Sequence, residues 1–95
     1  MATVVWDTRV RSGSEGLGLD LNRRIWADMK SFPGYLSHRL LQDEDDDGHF
    51  VIVSEWRDRA AADRARELYV DVEPLRLLTP ILAGPRQRFV LDEMT

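Results

Sequence analysis

Residues 32–57 constrain the fold of this chain more than any other stretch. Phe32-Pro33-Gly34 predicts the end of a helix and a turn, because proline lacks an amide proton and glycine tolerates left-handed backbone angles. Two runs rich in apolar, β-branched and aromatic residues follow, at 35–42 and 49–57, separated by an acidic segment that ends at Gly48. Two such runs around a polar break predict a β-hairpin.

The second strand of this hairpin carries apolar residues on both faces. With alternating side chains, Phe50, Ile52 and Trp56 share one face, and Val51 and Val53 share the other. A strand that is apolar on both sides predicts helices on one face and a further layer on the other.

The N-terminal third predicts one strand and one helix. Residues 3–11 alternate with a period of two, which places Trp6 and Thr8 on the same face of the first strand. A helix is predicted from Glu15 to Ser31, with Ser14 as its N-cap. Its expected buried face consists of apolar positions spaced by four residues, with Trp26 beside them: Leu17, Leu21, Ile25 and Met29.

The C-terminal part predicts a second helix, a helical turn and a last strand. Alanine-rich residues 58–69 are expected to form a helix capped by Asp58. Pro74 and Pro80 interrupt the next apolar stretch, so only a short turn at 75–78 is predicted there, closing over a pocket. Residues 86–93 are the expected last strand.

The element order is therefore β-α-β-β-α-β, which predicts a ferredoxin-like α+β fold in one domain, residues 1–95. A four-stranded antiparallel sheet of this type has both helices on one face. The other face, with Val51 and Val53, would be bare, so the sequence predicts a homodimer that packs sheet against sheet.

Composition excludes several classes of function. The net charge of −4 argues against a nucleic-acid partner, and the absence of cysteine removes disulfides and thiolate chemistry. Asp43, Asp45 and Asp47 match only the first half of a calcium loop, because Ser54 stands at its twelfth position, so no metal site is predicted. No apolar run has the length of a membrane span and the N-terminus does not resemble a signal peptide, so a cytoplasmic location without a membrane partner is expected.

Several motifs together resemble one protein family. Residues 32–36, the acidic turn, the segment 50–60 and residues 82–86 are similar to the antibiotic biosynthesis monooxygenase (ABM) family, within the dimeric α+β-barrel superfamily. The resemblance implies a homodimer whose two sheets form a barrel, with a pocket in each subunit between helices and sheet. Related members include cofactor-free oxygenases that convert anthrone-type aromatic polyketides to quinones, and haem-degrading enzymes.

The resemblance is incomplete at the polar positions. The tryptophan that lines the pocket in both kinds of enzyme is retained as Trp56, but Ile52 and Ala62 stand where the anthrone oxygenases carry asparagine and tyrosine. Haem degraders of this family carry an asparagine on the first strand and a histidine after the second helix. Here Thr8 is the nearest counterpart of that asparagine, and neither histidine of this chain follows the second helix. No cofactor is therefore expected.

Three residues are the candidate catalytic residues: Trp56 as pocket wall, His38 as base and Arg76 as stabiliser of a substrate anion. An unperturbed histidine pKa of ~6.5 suits proton abstraction at neutral pH, whereas a place in the core is the competing explanation for His38. His49, beside the acidic turn, is expected to be solvated. The candidate substrate-binding residues share an expected position around the pocket: Trp6, Thr8, Asn22, Trp26, Ile52, Ser54 and Tyr69.

Three functions fit these residues. The first is a cofactor-independent monooxygenase that oxidises a small aromatic or polyketide-type substrate with dioxygen. The alternative is a non-oxidative dimeric module that binds such a ligand or assists its cyclisation, which the apolar Ile52 and Ala62 favour. The third is a structural or regulatory dimer with a closed core.

Overall fold

The computed structural model describes residues 1–95. The elements in chain order are β1 Ala2–Arg9, α1 Glu15–Met29, β2 Tyr35–Asp43, β3 Asp46–Trp56, α2 Arg59–Leu68, α3 Glu73–Leu78 and β4 Gln87–Leu91, with a 3₁₀ turn at Thr79–Ile81 between the last two.

The four strands form one antiparallel sheet in the order β2-β3-β1-β4, with the helices on one face. The predicted ferredoxin-like α+β fold is thereby confirmed. The central strands β1 and β3 are paired so that Val4 lies opposite Ser54 and Trp6 lies opposite Ile52. This register brings the first strand and the end of the hairpin together beneath the helices.

The two faces of β3 differ in burial as its alternation predicted. Phe50, Ile52, Ser54 and Trp56 are at most 2% exposed on the helix-covered face. The residues between them are half-buried. Burial of the apolar side chains in this row stabilises the packing of the sheet against the helices.

The opposite face, which we call the open face, bears no helix. Three of its large apolar side chains are 41–47% exposed, and they come from β2 and β4: Leu41, Phe89 and Leu91. Val53 and Val5 lie between them on the central strands and are half-buried. The open face is thus a continuous sheet surface with an apolar centre.

His49 also lies on the open face, and the expectation that it is solvated is wrong. Its side chain is 13% exposed, and its two ring nitrogens lie 2.8 Å from carboxylate oxygens of Asp43 and Asp7. The hydrogen bond with Asp43 is the main cause of a raised pKa of His49. The same bond lowers the pKa of Asp43.

Helix α1 buries the predicted stripe except at its first position. The buried stripe runs through Gly18, Leu21, Ile25 and Met29, whereas Leu17 is 48% exposed. Each helical residue advances by about 100°, so Leu17 lies outside the stripe that Gly18 begins. Gly18 permits a close approach there, because a Cβ at this position would lie 3.0 Å from both Cγ atoms of Val10.

Both predicted N-cap residues occupy the N-cap positions, but only one of them caps its helix with its side chain. Asp58 caps α2 as predicted, because its Oδ1 accepts a hydrogen bond of 2.8 Å from the backbone N–H of Ala61. Ser14 occupies the N-cap of α1, but its side chain makes no capping hydrogen bond. Instead, the carboxylate of Glu15 accepts the backbone N–H of Gly13.

The acidic turn of the hairpin is shorter than the predicted break of six residues. Only Glu44 and Asp45 form the turn, because Oδ1 of Asp43 accepts the backbone N–H of Asp45 at 2.8 Å and closes the chain tightly. Strand β3 therefore begins at Asp46 rather than at His49.

The segment after α2 contains more helix than predicted. Helix α3 begins at Glu73, because Pro74 lies in its first turn, where a missing N–H is tolerated. The expected turn at 75–78 is the end of this helix. Strand β4 is shorter than predicted at both ends. No helix in the structure combines the length and apolar character that crossing a membrane requires.

Candidate functional site

A cavity of about 440 Å³ lies between the helix-covered face of the sheet and the three helices. Twelve of its 18 lining residues are hydrophobic. Four aromatic side chains supply much of its wall: Trp6, Trp26, Trp56 and Tyr69. A mostly apolar cavity with broad aromatic surfaces is typical of a site for a small, flat ligand.

The strands form the floor of the cavity through their alternation. Val4, Trp6 and Thr8 point to it from β1, and Ile52 and Trp56 point to it from β3. Thr8 is 1% exposed even though it is polar, so it forms part of the inner wall.

The helices form the roof. Asn22 and Trp26 lie one turn apart on α1 and both line the cavity, as their spacing predicted. Asn22 is buried and donates a hydrogen bond of 2.9 Å from Nδ2 to the carbonyl of Gly18. Ala62 and Ala65 are the buried residues that α2 contributes to the roof.

Trp56 serves the cavity as an apolar wall. Its Nε1–H donates to Oγ of Ser54 at 3.0 Å, and that hydroxyl donates to the carbonyl of Val4 at 3.0 Å. The ring of Tyr35 packs edge-on against the indole, with ring centroids 5.8 Å apart. The polar atom of Trp56 is therefore already bonded within the chain, and its ring is what it offers a ligand.

Tyr69 connects α2 to α1 at the edge of the cavity. Its hydroxyl donates a hydrogen bond of 2.7 Å to Oδ2 of Asp28. Burial, and then this hydrogen bond, raise the pKa of Tyr69 far above its usual range. The phenol therefore stays protonated at physiological pH and cannot serve as a base there.

Two arginines form a polar end of the cavity. Arg88 on β4 donates from Nη2 to Oδ1 of Asp63 at 2.8 Å, and this contact lowers the pKa of that carboxyl. The Arg86 guanidinium lies over the ring of Trp6, with Cζ 4.7 Å from the ring centroid. Burial lowers the pKa of Arg86, although the group stays charged at neutral pH.

Two of the three candidate catalytic residues do not line this cavity. His38 lines a smaller cleft of about 270 Å³ between α1 and β2, where its Nδ1 lies 2.6 Å from the hydroxyl of Tyr35. Burial and the charge of Lys30 lower its pKa. Arg76 is on the exposed side of α3 and donates to the backbone carbonyl of Asp71 at 2.7 Å.

Most of the other predicted site residues meet in the cavity. Six of the seven candidate substrate-binding residues line it together with Trp56, and Ser54 lies directly behind that tryptophan. The sequence-based prediction missed the polar lining residues Arg66, Glu67, Arg86 and Arg88. The alternation Arg86-Gln87-Arg88-Phe89-Val90 could have indicated two arginines facing the helices, since Val90 shares their face. No cluster of three or more histidine, aspartate or glutamate side chains is arranged to hold a metal ion.

Solved structures of similar fold cover almost the whole chain. A structure described as an antibiotic biosynthesis monooxygenase is 24% identical, with complete coverage of both chains and a TM-score of 0.87. A protein of the same description from Nitrosomonas europaea is 18% identical, also with complete coverage of both chains and a TM-score of 0.87. SnoaB, a cofactor-independent oxygenase from Streptomyces nogalater, is 22% identical over 98% of this chain and 94% of its own, with a TM-score of 0.79.

At these identities the structural likeness shows the fold alone. No curated protein matches the sequence. The family itself is shown by the sequence, because the model of the antibiotic biosynthesis monooxygenase family matches residues 1–68, well over half of the chain. With its four-stranded sheet and helix-covered cavity, the chain therefore belongs to the antibiotic biosynthesis monooxygenase family.

Proposed function

We propose that this protein is a cofactor-independent monooxygenase that oxidises a small aromatic, polyketide-type substrate in the cavity beside Trp56. The observation that carries the proposal is the cavity of about 440 Å³ walled by Trp6, Trp26 and Trp56. Flat indole surfaces bind fused aromatic rings by stacking and by exclusion of water. Membership of the antibiotic biosynthesis monooxygenase family supports this reaction class, and SnoaB, a protein of similar fold, is a cofactor-independent oxygenase.

The chemistry would come chiefly from the substrate. An anthrone loses a proton, and its anion transfers an electron to dioxygen. One oxygen atom enters the ring as the new carbonyl of the quinone, and the other leaves as water with the two hydrogens of the oxidised carbon. The protein contributes a preorganised, mostly apolar cavity that surrounds much of the anion.

Glu67 is our candidate for the proton acceptor. It is the only carboxylate among the lining residues, and it is exposed near the end of α2, where a proton can pass to solvent. His38, the base expected from the sequence, lies in the other cleft and remains the competing candidate.

We expect purified protein in air to convert an anthrone to its quinone faster than the protein-free reaction, without added cofactor. Removal of a general base lowers the rate by about 100-fold or more, so Glu67→Gln should lower kcat by that amount. Glu44→Gln, an exposed change in the hairpin turn, is the matched control. Quinone formation is followed by absorbance.

Two results would change the assignment. If His38→Gln lost most of its activity while Glu67→Gln kept normal activity, His38 rather than Glu67 would be the base. Quinone formation by the wild-type protein no faster than without protein would refute the oxygenase and leave the non-oxidative function.

That second function has its own support. Ile52 and Ala62 both line the cavity, and they occupy the positions where the resemblance implies polar residues in anthrone oxygenases. Such an apolar wall binds an aromatic ligand but offers few groups for catalysis. Binding of an aromatic polyketide without oxygen uptake would distinguish a binding or cyclisation-assisting module from an oxygenase.

We also propose that the functional unit is a homodimer in which the open faces of two sheets pack together. Phe89 and Leu91 are nearly half exposed there, and the half-buried Val53 lies between them and β2. An apolar sheet surface of this kind is unusual in a monomer and suits an isologous contact with a second copy.

We expect Phe89→Glu to convert the dimer to a monomer, because a carboxylate buried between two sheets would be left without a partner. Leu77→Glu on α3 is the matched control, since Leu77 is 44% exposed and Phe89 is 46% exposed. Molar mass is measured by analytical ultracentrifugation. A dimer that persists in Phe89→Glu, or a monomeric wild-type protein, would contradict this arrangement.

A further inference from the structure

We propose that the ligand of this cavity is an aromatic molecule that carries an anionic oxygen group, and that Arg86 binds this group. The inference deepens the proposed function, on which it rests, by naming a chemical class for the substrate and the residue that selects it.

Arg86 differs from Arg88 in having no acidic partner. Both line the cavity, but Arg88 is paired with Asp63 at 2.8 Å, whereas Arg86 makes no ion pair and no side-chain hydrogen bond. A partly desolvated guanidinium normally acquires a carboxylate partner, because an uncompensated charge away from water is unfavourable. The missing counter-charge of Arg86 points to one that arrives with a ligand.

The contact with Trp6 leaves the hydrogen-bonding groups of Arg86 unused. The guanidinium carbon lies over the indole ring, 4.7 Å from its centroid, and none of the side-chain N–H groups of Arg86 makes a hydrogen bond within the chain. The five N–H groups of a guanidinium lie in its plane and form a fork that matches two oxygen atoms. Trp6 thus holds the cation in place by a cation–π contact, while the N–H groups of Arg86 can donate hydrogen bonds to a carboxylate or an ionised phenol.

The charge around the cavity favours an anion as well. Three arginines line the cavity, and the carboxylates that accompany them are Glu67 in the lining and Asp63, which pairs with Arg88. This leaves one net positive charge at the cavity in a chain whose net charge is −4. A local positive site in an otherwise acidic protein attracts anionic ligands selectively.

A pair of probes with the same rings tests the inference by binding alone. We expect the wild-type protein to bind 2-naphthoate at least about tenfold more tightly than neutral 2-naphthalenemethanol, which is the usual gain from a charge-assisted hydrogen bond. Calorimetry gives both dissociation constants, and quenching of tryptophan fluorescence provides a second readout because three tryptophans line the cavity.

Three variants assign the effect to Arg86. Arg86→Gln should abolish the preference for naphthoate and leave binding of the alcohol nearly unchanged. Arg86→Lys should retain part of the preference, since it keeps the charge but loses the fork. Arg64→Gln removes one exposed charge from α2 outside the cavity and should leave the preference intact.

A third probe separates the two kinds of anionic oxygen. If an ionised phenol is the better match, 2-naphthol should ionise at lower pH when bound to the wild-type protein than when bound to Arg86→Gln, as seen in its absorbance. A preference for naphthoate without this shift identifies a carboxylate as the group that Arg86 binds.

The inference would be overturned if the wild-type protein bound naphthoate and the alcohol with equal affinity and 2-naphthol ionised at the same pH when bound to the wild-type protein and to Arg86→Gln. A preference that persists in Arg86→Gln would also overturn it. If Arg86→Gln does not fold, Arg86→Lys and the wild-type comparison still decide the question. These measurements involve no turnover, so a failure to oxidise anthrones would refute the oxygenase without affecting them.

Discussion

Replacement of Gly34 with alanine is expected to lower the free energy of unfolding by about 2–5 kcal/mol, through backbone strain and overpacking together. Gly34 has a φ of +88°, and a Cβ at this position would lie 2.5 Å from Cβ of Ala61 on α2. The carbonyl of Gly34 also accepts a hydrogen bond of 2.7 Å from the N–H of Arg57, so the backbone cannot move away freely. Urea denaturation followed by circular dichroism measures the change.

Gly84→Ala is the matched control, because a Cβ there meets no atom within 4 Å and the backbone is not left-handed. A second variant, Ala61→Gly, separates the two causes. Combined with Gly34→Ala in a double-mutant cycle, it should relieve the clash between the two methyl groups but leave the backbone strain. Equal stability of Gly34→Ala and Gly84→Ala would contradict the close approach of the hairpin to α2.

Replacement of Trp56 with alanine should destabilise the protein by about 3–5 kcal/mol, as is usual for a large buried aromatic residue. Trp56 is 2% exposed and belongs both to the core and to the cavity wall. The same change should weaken binding of 2-naphthalenemethanol, because a stacking surface is lost. Thermal unfolding and calorimetry measure the two effects.

Trp56→Phe distinguishes a wall from a reactive group. Because Nε1 of Trp56 is already bonded to Oγ of Ser54, the phenylalanine variant should retain ligand binding and any oxygenase activity, with only a modest loss of stability. Normal binding with abolished turnover in Trp56→Phe would show instead that the indole itself takes part in the chemistry.

Local sequence patterns predicted the strands and the burial of their faces. The alternation in β1 and β3 identified the side chains that face the helices, because a strand repeats every two residues whatever it packs against. The prediction for α1 was less successful, since spacing by four residues included Leu17. Only the contact of Gly18 with Val10 shows where the buried stripe begins.

Strand alternation also predicted part of the candidate site. Trp6, Thr8, Ile52 and Trp56 were identified because strand alternation and the neighbouring positions of β1 and β3 place them together. His38 lies on the same helix-covered face, but it belongs to β2 at the edge of the sheet. Its side chain therefore lines the smaller cleft between α1 and β2. Its distance from the cavity depends on strand order and helix position, which no local pattern encodes.

Periodicity and residue type were enough to predict the order of the elements, the two-sided character of β3 and the tryptophan-rich wall. Which charges accompany that wall depends instead on how the elements pack. Asp63 lies 25 residues before Arg88 in the chain and still neutralises it, whereas Arg86 is left with the indole of Trp6. Pairing of charges depends on distances of a few ångströms between separate elements, and only the packed chain fixes those distances.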